Sequence, residues 1–345
     1  MNIVARSTLL PVVPRAEPDE RLSCWLGRLA QFYGMPIEAF LECCGLGCCD
    51  VADLEWRLGA GEGALLAART GMTVEATRAM TFEEIAPHAR LTVTRGSRYV
   101  CPLCPGKIQR KSTALPWNFW CPEHGVRLAA RSGRNLEGLS QTQLTVLDLN
   151  ARAGAMRLAN WARGKDEGLP SVPQLLDFLT TRHRRSSPPS LTEQPRMSLL
   201  ARRENHDFLT HPVARQALLV VVPEYDRVAP VLAKPVRSGL LALAQGSLLQ
   251  NYALAVGVGR LSADPVGHVA SVLLASDEEG EERLRETLRA WPLTLRRRIY
   301  ARLQRLRVAR SGASSGAEGV KSGQKHGQSQ KFRFSQSHNY ARGIS

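Results

Sequence analysis

Apolar positions recur at helical spacing along most of the chain, and the breaks between stripes fall on Gly and Pro. Leu22, Trp25, Leu26 and Leu29 sit at i, i+3, i+4 and i+7, the single stripe of an amphipathic helix. Asp19 or Ser23 is placed to cap its start and Gly34 to end it. A second helix starts at Pro36, a favoured first position, carries Ile37, Phe40 and Leu41, and stops at Gly45. Two short helices joined by a Gly turn predict a helix-turn-helix shape. The pattern returns: Leu65, Leu66 and Ala68 lead to Gly71, and Thr73 caps a helix holding Val74, Thr77, Arg78 and Met80.

Further on the periods are less uniform. Residues 144–149 suit a strand or a helix start; Met156, Leu158, Ala159 and Trp161 predict a helix ending near Gly164. Ser171 opens another through Leu175, Leu176, Phe178 and Leu179. Residues 182–198, rich in Arg, Ser and Pro, read as an exposed basic linker and a domain boundary. Residues 199–260 read as helical, with 218–222 a helix end or a short buried strand, and Leu240, Leu241, Leu243, Leu248, Leu249 and Leu254 as core. Ser276 with Glu279 predicts a capping box, and the acids at 277–282 lie where a helix dipole favours them. Beyond Pro292, Leu295, Ile299, Leu303 and Leu306 form one stripe among arginines.

The expected architecture is mainly α, with helix-turn-helix units, a small zinc ribbon or knuckle and a helical C-terminal domain. Its expected divisions are an extended segment 1–17, a helix-turn-helix domain 18–95, a zinc knuckle 96–132, a helical extension 133–181, the basic linker 182–198, a helical domain 199–310 and a disordered tail 311–345.

The candidate chemistry is concentrated in residues 99–128. Cys101 and Cys104 form one pair and Cys121 and His124 another, with sixteen residues between them. Zn²⁺ takes four such donors at tetrahedral corners. Pro102 and Pro122 follow the first Cys of each pair and fix φ there, and Gly125 suits a left-handed exit from the site. Four protein ligands leave no position for water, so one structural Zn²⁺ is expected. The knuckle would hold Trp117, Phe119 and Trp120 against the helical domain. Cys43, Cys44, Cys48 and Cys49 read as buried small hydrophobes, because neighbouring side chains point apart. The first residues lack a continuous apolar core like that of a secretory signal, so a reducing cytoplasmic setting is expected.

Charge adds a partner. Forty-six Lys and Arg against thirty-one Asp and Glu give a net +15, which favours a polyanion, nucleic acid before membrane. No uninterrupted apolar run reaches the roughly eighteen residues of a membrane helix. Candidate DNA contacts are Thr73, Thr77 and Arg78 at the second helix pair, Lys107, Arg110 and Lys111 in the zinc loop, and Arg296, Arg297, Arg298, Arg302 and Arg305 on the last helix. No clustered carboxylates suited to two-metal phosphoryl transfer and no Gly-Lys-Ser/Thr phosphate loop occur, so a non-enzyme is expected.

Three stretches resemble the TniQ family of transposition proteins: residues 18–41 (PDERLSCWLGRLAQFYGMPIEAFL), residues 66–82 (LAARTGMTVEATRAMTF), and CPLC, Trp117 and CPEHGVRL at residues 101–128. Order and spacing agree over roughly residues 17–130. Many members add a second Cys pair after the His-Gly turn; residues 129–140 here have none. The resemblance implies a target-selection adaptor of a bacterial transposon, associated with the nucleoid when bound to DNA. It would recruit an AAA+ ATPase and through it a transposase, reading DNA directly or docking on an RNA-guided effector complex, and a homodimer stays open. The alternative from the same modules is a zinc-containing helix-turn-helix transcription regulator.

Overall fold

The computed structural model describes residues 9–94, 96–104, 108–130, 141–186, 213–228 and 237–318. It is mainly helical. The described residues up to Leu303 form one compact unit, and those beyond it belong to a second.

The first layer is α1 (Leu22–Phe32), α2 (Ile37–Cys43), α3 (Val51–Trp56), α4 (Ala60–Thr70) and α5 (Val74–Ala79). Leu22, Trp25, Leu26 and Leu29 are fully buried, and Phe40, Leu41, Leu54, Leu58 and Leu66 close the core around them. Gly34, Gly45 and Gly71 end helices at φ of 66°, 81° and 71°, a region that costs Gly little because it has no Cβ. Residues 9–17 carry no regular element, yet Leu10, Val13 and Ala16 pack on this core. Both Gly-joined helix pairs are present, with second helices of seven and six residues.

The start of α1 differs from expectation. Its N-cap is Arg21, whose own side chain makes no cap bond. Arg21 and Ser23 instead bind Glu55 on α3: the guanidinium donates through Nε at 3.0 Å and Nη2 at 2.5 Å, and the Ser23 hydroxyl bonds the same carboxylate. Arg21 and Glu55 are both nearly inaccessible, so the pair replaces cap bonds with a charged tie between helices.

The second layer is built on α6 (Gln141–Ala162), which settles residues 144–149 as helix, and α7 (Val172–Thr180), whose Ser171–Gln174 capping box is formed. Next come β3 (Arg182–Ser186) and β4 (Val213–Gln216), an antiparallel pair with Ser186 opposite Val213. The residues 182–186 expected in a linker are therefore a strand with His183 buried; 187–198 lie outside the described residues. α8 (Leu218–Val221), α9 (Pro223–Val228), α10 (Leu240–Gln245), α11 (Leu248–Ala263), α12 (Pro265–Ala275), α13 (Glu278–Leu288) and α14 (Leu293–Glu318) follow. Residues 218–222 thus resolve to a short helix. Leu243, Leu248 and Leu254 are core as expected, but Leu241 is 48% exposed. The cap of α13 is Asp277, which accepts from Gly280 N, one residue beyond the expected Ser276. Residues 311–318, expected in the tail, continue α14 as helix; 319–345 lie outside the described residues.

Glycine sets the spacing of α6 against α11. A Cβ on Gly154 would lie 1.8 Å from the Ala255 carbonyl oxygen, and one on Gly259 would lie 2.2 Å from that of Asn150. Only hydrogen fits at either point, so the two backbones meet directly.

Candidate metal centre and nucleic-acid surface

β1 (Tyr99–Val100) and β2 (Ala129–Ala130) pair antiparallel and close the base of the zinc segment, bringing residues about thirty apart in sequence side by side. At the first turn, Leu103 N donates to Cys101 Sγ at 3.4 Å. At the second, Gly125 N bonds Cys121 O and Cys121 N bonds Val126 O, with Gly125 at φ 64° as the spacing predicts. The turns bring Cys101, Cys104, Cys121 and His124 together with all four donor atoms within 4.8 Å.

The edges of this cluster test what it fits. Cys104 Sγ and Cys121 Sγ are 3.7 Å apart, and His124 Nδ1 lies 3.7, 3.4 and 3.5 Å from Cys101, Cys104 and Cys121. Bond lengths of about 2.3 Å to sulfur and about 2.0 Å to nitrogen give tetrahedral edges of about 3.8 Å between sulfurs and about 3.5 Å from sulfur to nitrogen. These four edges are close to those lengths, and all eight cysteines are free thiols. Burial, then hydrogen bonds with Cys101 and Cys121, push the Cys104 thiol up to about 12. Burial also raises Cys121, but the His124 backbone and ring and the Glu123 N–H outweigh it and hold it down to about 7. A metal ion entering here displaces protons as well as binding sulfur.

The segment is wedged against the second layer. Tyr99 Oη accepts from Asn251 Nδ2 at 2.9 Å, deep in the protein. Arg98 donates to the carbonyls of Leu243, Ala244 and Gly246 at the end of α10. Phe119 meets Tyr252 edge-on at 5.3 Å, and the Arg152 guanidinium lies 4.2 Å from the Trp120 ring centroid. Tyr252 Oη donates to Asp148, which also pairs with Arg127. Phe119 and Trp120 therefore meet helices α11 and α6 as expected, and Trp117 is buried. No spacing in the sequence points to the partners Asn251, Tyr252 and Asp148, which lie up to 152 residues away.

The candidate DNA contacts divide. Arg297, Arg298, Arg302 and Arg305 are exposed on α14, and Arg296 is half-buried. Thr73 is exposed but caps α5 through Ala76 N; Arg78 is exposed and 3.8 Å from Glu83. Thr77, expected on the surface, is fully buried with its hydroxyl on Thr73 O, because that face of the short α5 packs inward. Arg110 and Lys111 are also displaced from the surface. Arg110 is 3% exposed, donates to Pro18 O at 2.7 Å and pairs with Glu123 at 2.8 Å. Lys111 pairs with Glu84 at 2.9 Å and lies over the Phe82 ring. Lys107 lies outside the described residues.

The second cysteine group is less buried than expected. Cys44 is buried, but Cys43 and Cys48 are exposed, and a turn brings Cys48 and Cys49 Sγ to 3.9 Å rather than apart. Among the described residues, only the Cys101–His124 group gathers metal-ligating side chains this closely.

Compared with known proteins, residues 11–128 match the TniQ family model. No curated protein and no solved structure gives a match.

Proposed function

We propose that this chain, whose residues 11–128 match the TniQ family model, has the transposition-associated target-selection role of that family and acts as a non-catalytic adaptor. In this reading it holds one structural Zn²⁺ on Cys101, Cys104, Cys121 and His124, binds target DNA, and recruits an AAA+ ATPase that brings in a transposase. The observation that supports it most is the four-donor cluster inside the family-matched stretch. With every corner taken by a protein ligand, bound zinc has no open position at which to activate water, so its work is to shape the scaffold. The ions that could drive chemistry are left to the partners. Exposed arginines of α14 supply phosphate contacts, which position a protein on a duplex without reading its sequence.

The test is a transposition assay in which the gene for this chain is deleted from its element and then restored, with insertion sites mapped by sequencing. Loss of targeted insertions on deletion, recovered on restoration, is the expected result. Unchanged insertion frequency and site distribution would overturn the reading, and altered transcription with normal insertion would favour the regulator alternative. In parallel, purified protein should co-sediment with the element's ATPase on target DNA.

A further inference from the structure

We propose that Arg110 and Glu123 are a positioning pair for the metal centre, coupling it to the N-terminal residues 17–21; this rests on the four-ligand metal reading above. The loop between the ligand pairs returns over the N-terminal segment as an antiparallel bridge. Glu20 and Arg110 face each other, Arg21 N bonds Gln109 O and Lys111 N bonds Asp19 O. The Arg110 guanidinium is fixed from both sides: Nη1 donates to Pro18 O at 2.7 Å and Nη2 to Glu123 Oε2 at 2.8 Å. Glu123 stands between the ligands Cys121 and His124, and its Oε2 is 3.9 Å from Cys104 Sγ. One arginine thus links the second ligand turn to the segment that leads into α1.

The charges favour the arrangement. Three thiolates and an imidazole around a divalent cation carry a net negative charge, and with Glu123 beside them the site needs a cation nearby. Arg110 is the guanidinium placed there, with a side chain only 4% exposed. In such a low-dielectric position its attraction to the site is weakly screened. Outer partners that orient metal ligands typically alter affinity by about 10–100-fold. Arg110 is therefore spent on the metal site and on residues 17–21, and is not a phosphate contact.

The test uses the full-length protein as wild type, Arg110→Lys, Arg110→Ala and Glu123→Gln. Cobalt(II) is titrated in, the thiolate charge-transfer band is read, and zinc affinity is measured by competition with a chromophoric chelator. Arg110→Ala and Glu123→Gln should weaken zinc binding about tenfold or more, with Arg110→Lys recovering part of the loss. Glu123 is 41% exposed, so Glu123→Gln remains informative if Arg110→Ala does not fold. Wild-type affinity and spectrum in Glu123→Gln and in every folded Arg110 variant would overturn the pair alone. A wild-type protein that binds neither cobalt nor zinc would overturn the metal reading and the pair with it.

Discussion

At the scale of the residue, Glu55 ties the first layer together. It accepts two bonds from Arg21 and two from Ser23, and it is 5% exposed. Glu55→Ala leaves the Arg21 charge buried without its carboxylate, and breaking such a pair costs about 3–5 kcal/mol. The expected result is a large drop in the urea midpoint with little change in slope; a loss under about 1 kcal/mol, the range of surface pairs, would show that the tie contributes little. The grouping of the four donor residues was legible because both turns are local: two donors three residues apart, each with Pro after the first. Arg110 was not. Its charge shows in the sequence, but its partners Pro18 and Glu123 lie 92 residues before and 13 after it, and charge alone points to a surface. Sequence likewise shows Ser23 as a cap former but cannot show that a carboxylate on another helix binds it first.

Among elements, the helix ends at Gly34, Gly45, Gly71 and Gly164 were read well, because each Gly takes positive φ; Gly125 does the same at the turn after His124, while Gly239, also at positive φ, gave no such signal. The closeness of α6 to α11 was not readable, since a Gly in a helix interior looks like a weak position until its neighbour is known. Gly154→Ala forces a methyl onto the Ala255 carbonyl and should destabilise by about 1–3 kcal/mol despite alanine's better helix propensity. A rise in melting temperature would contradict the backbone contact. β3 was missed because Arg-His-Arg-Arg-Ser lacks the apolar alternation of a strand. It holds a further test: His183 is 1% exposed, and burial, then Arg184 and Arg215, lower it from 6.5 to about 4. The unfolded chain therefore binds the extra proton first. Stability from a neutral His183 is full above pH 6.5 and falls steadily toward about 4, by on the order of 1–3 kcal/mol. His183→Phe should flatten that part of the stability curve, and a curve superimposable on wild type between pH 4 and 7 would exclude His183 as its source.

At the scale of the molecule, the excess of fifteen basic groups does not say where a polyanion binds, and the fold narrows the choice. Among basic side chains in the N-terminal and zinc segments, Arg21, Arg28, Arg110 and Lys111 all pair with carboxylates of the chain itself. Each such pairing removes a cation from the count available to phosphate. α14 differs: from Arg296 to Arg310 it carries no acid, and Arg297, Arg298 and Arg302 project from a helix anchored by buried Ile299 and Leu303. Replacing those three arginines by Gln removes charge without touching the core, so the circular dichroism spectrum and melting temperature should hold. If each meets one phosphate, the slope of log affinity against log salt should become shallower by about 0.9 per contact, close to 3 in all. The loss should be similar on unrelated duplexes, because phosphate contacts carry no base readout. A slope equal to that of wild type would remove α14 from the DNA surface, and a loss confined to one sequence would assign these arginines to the grooves.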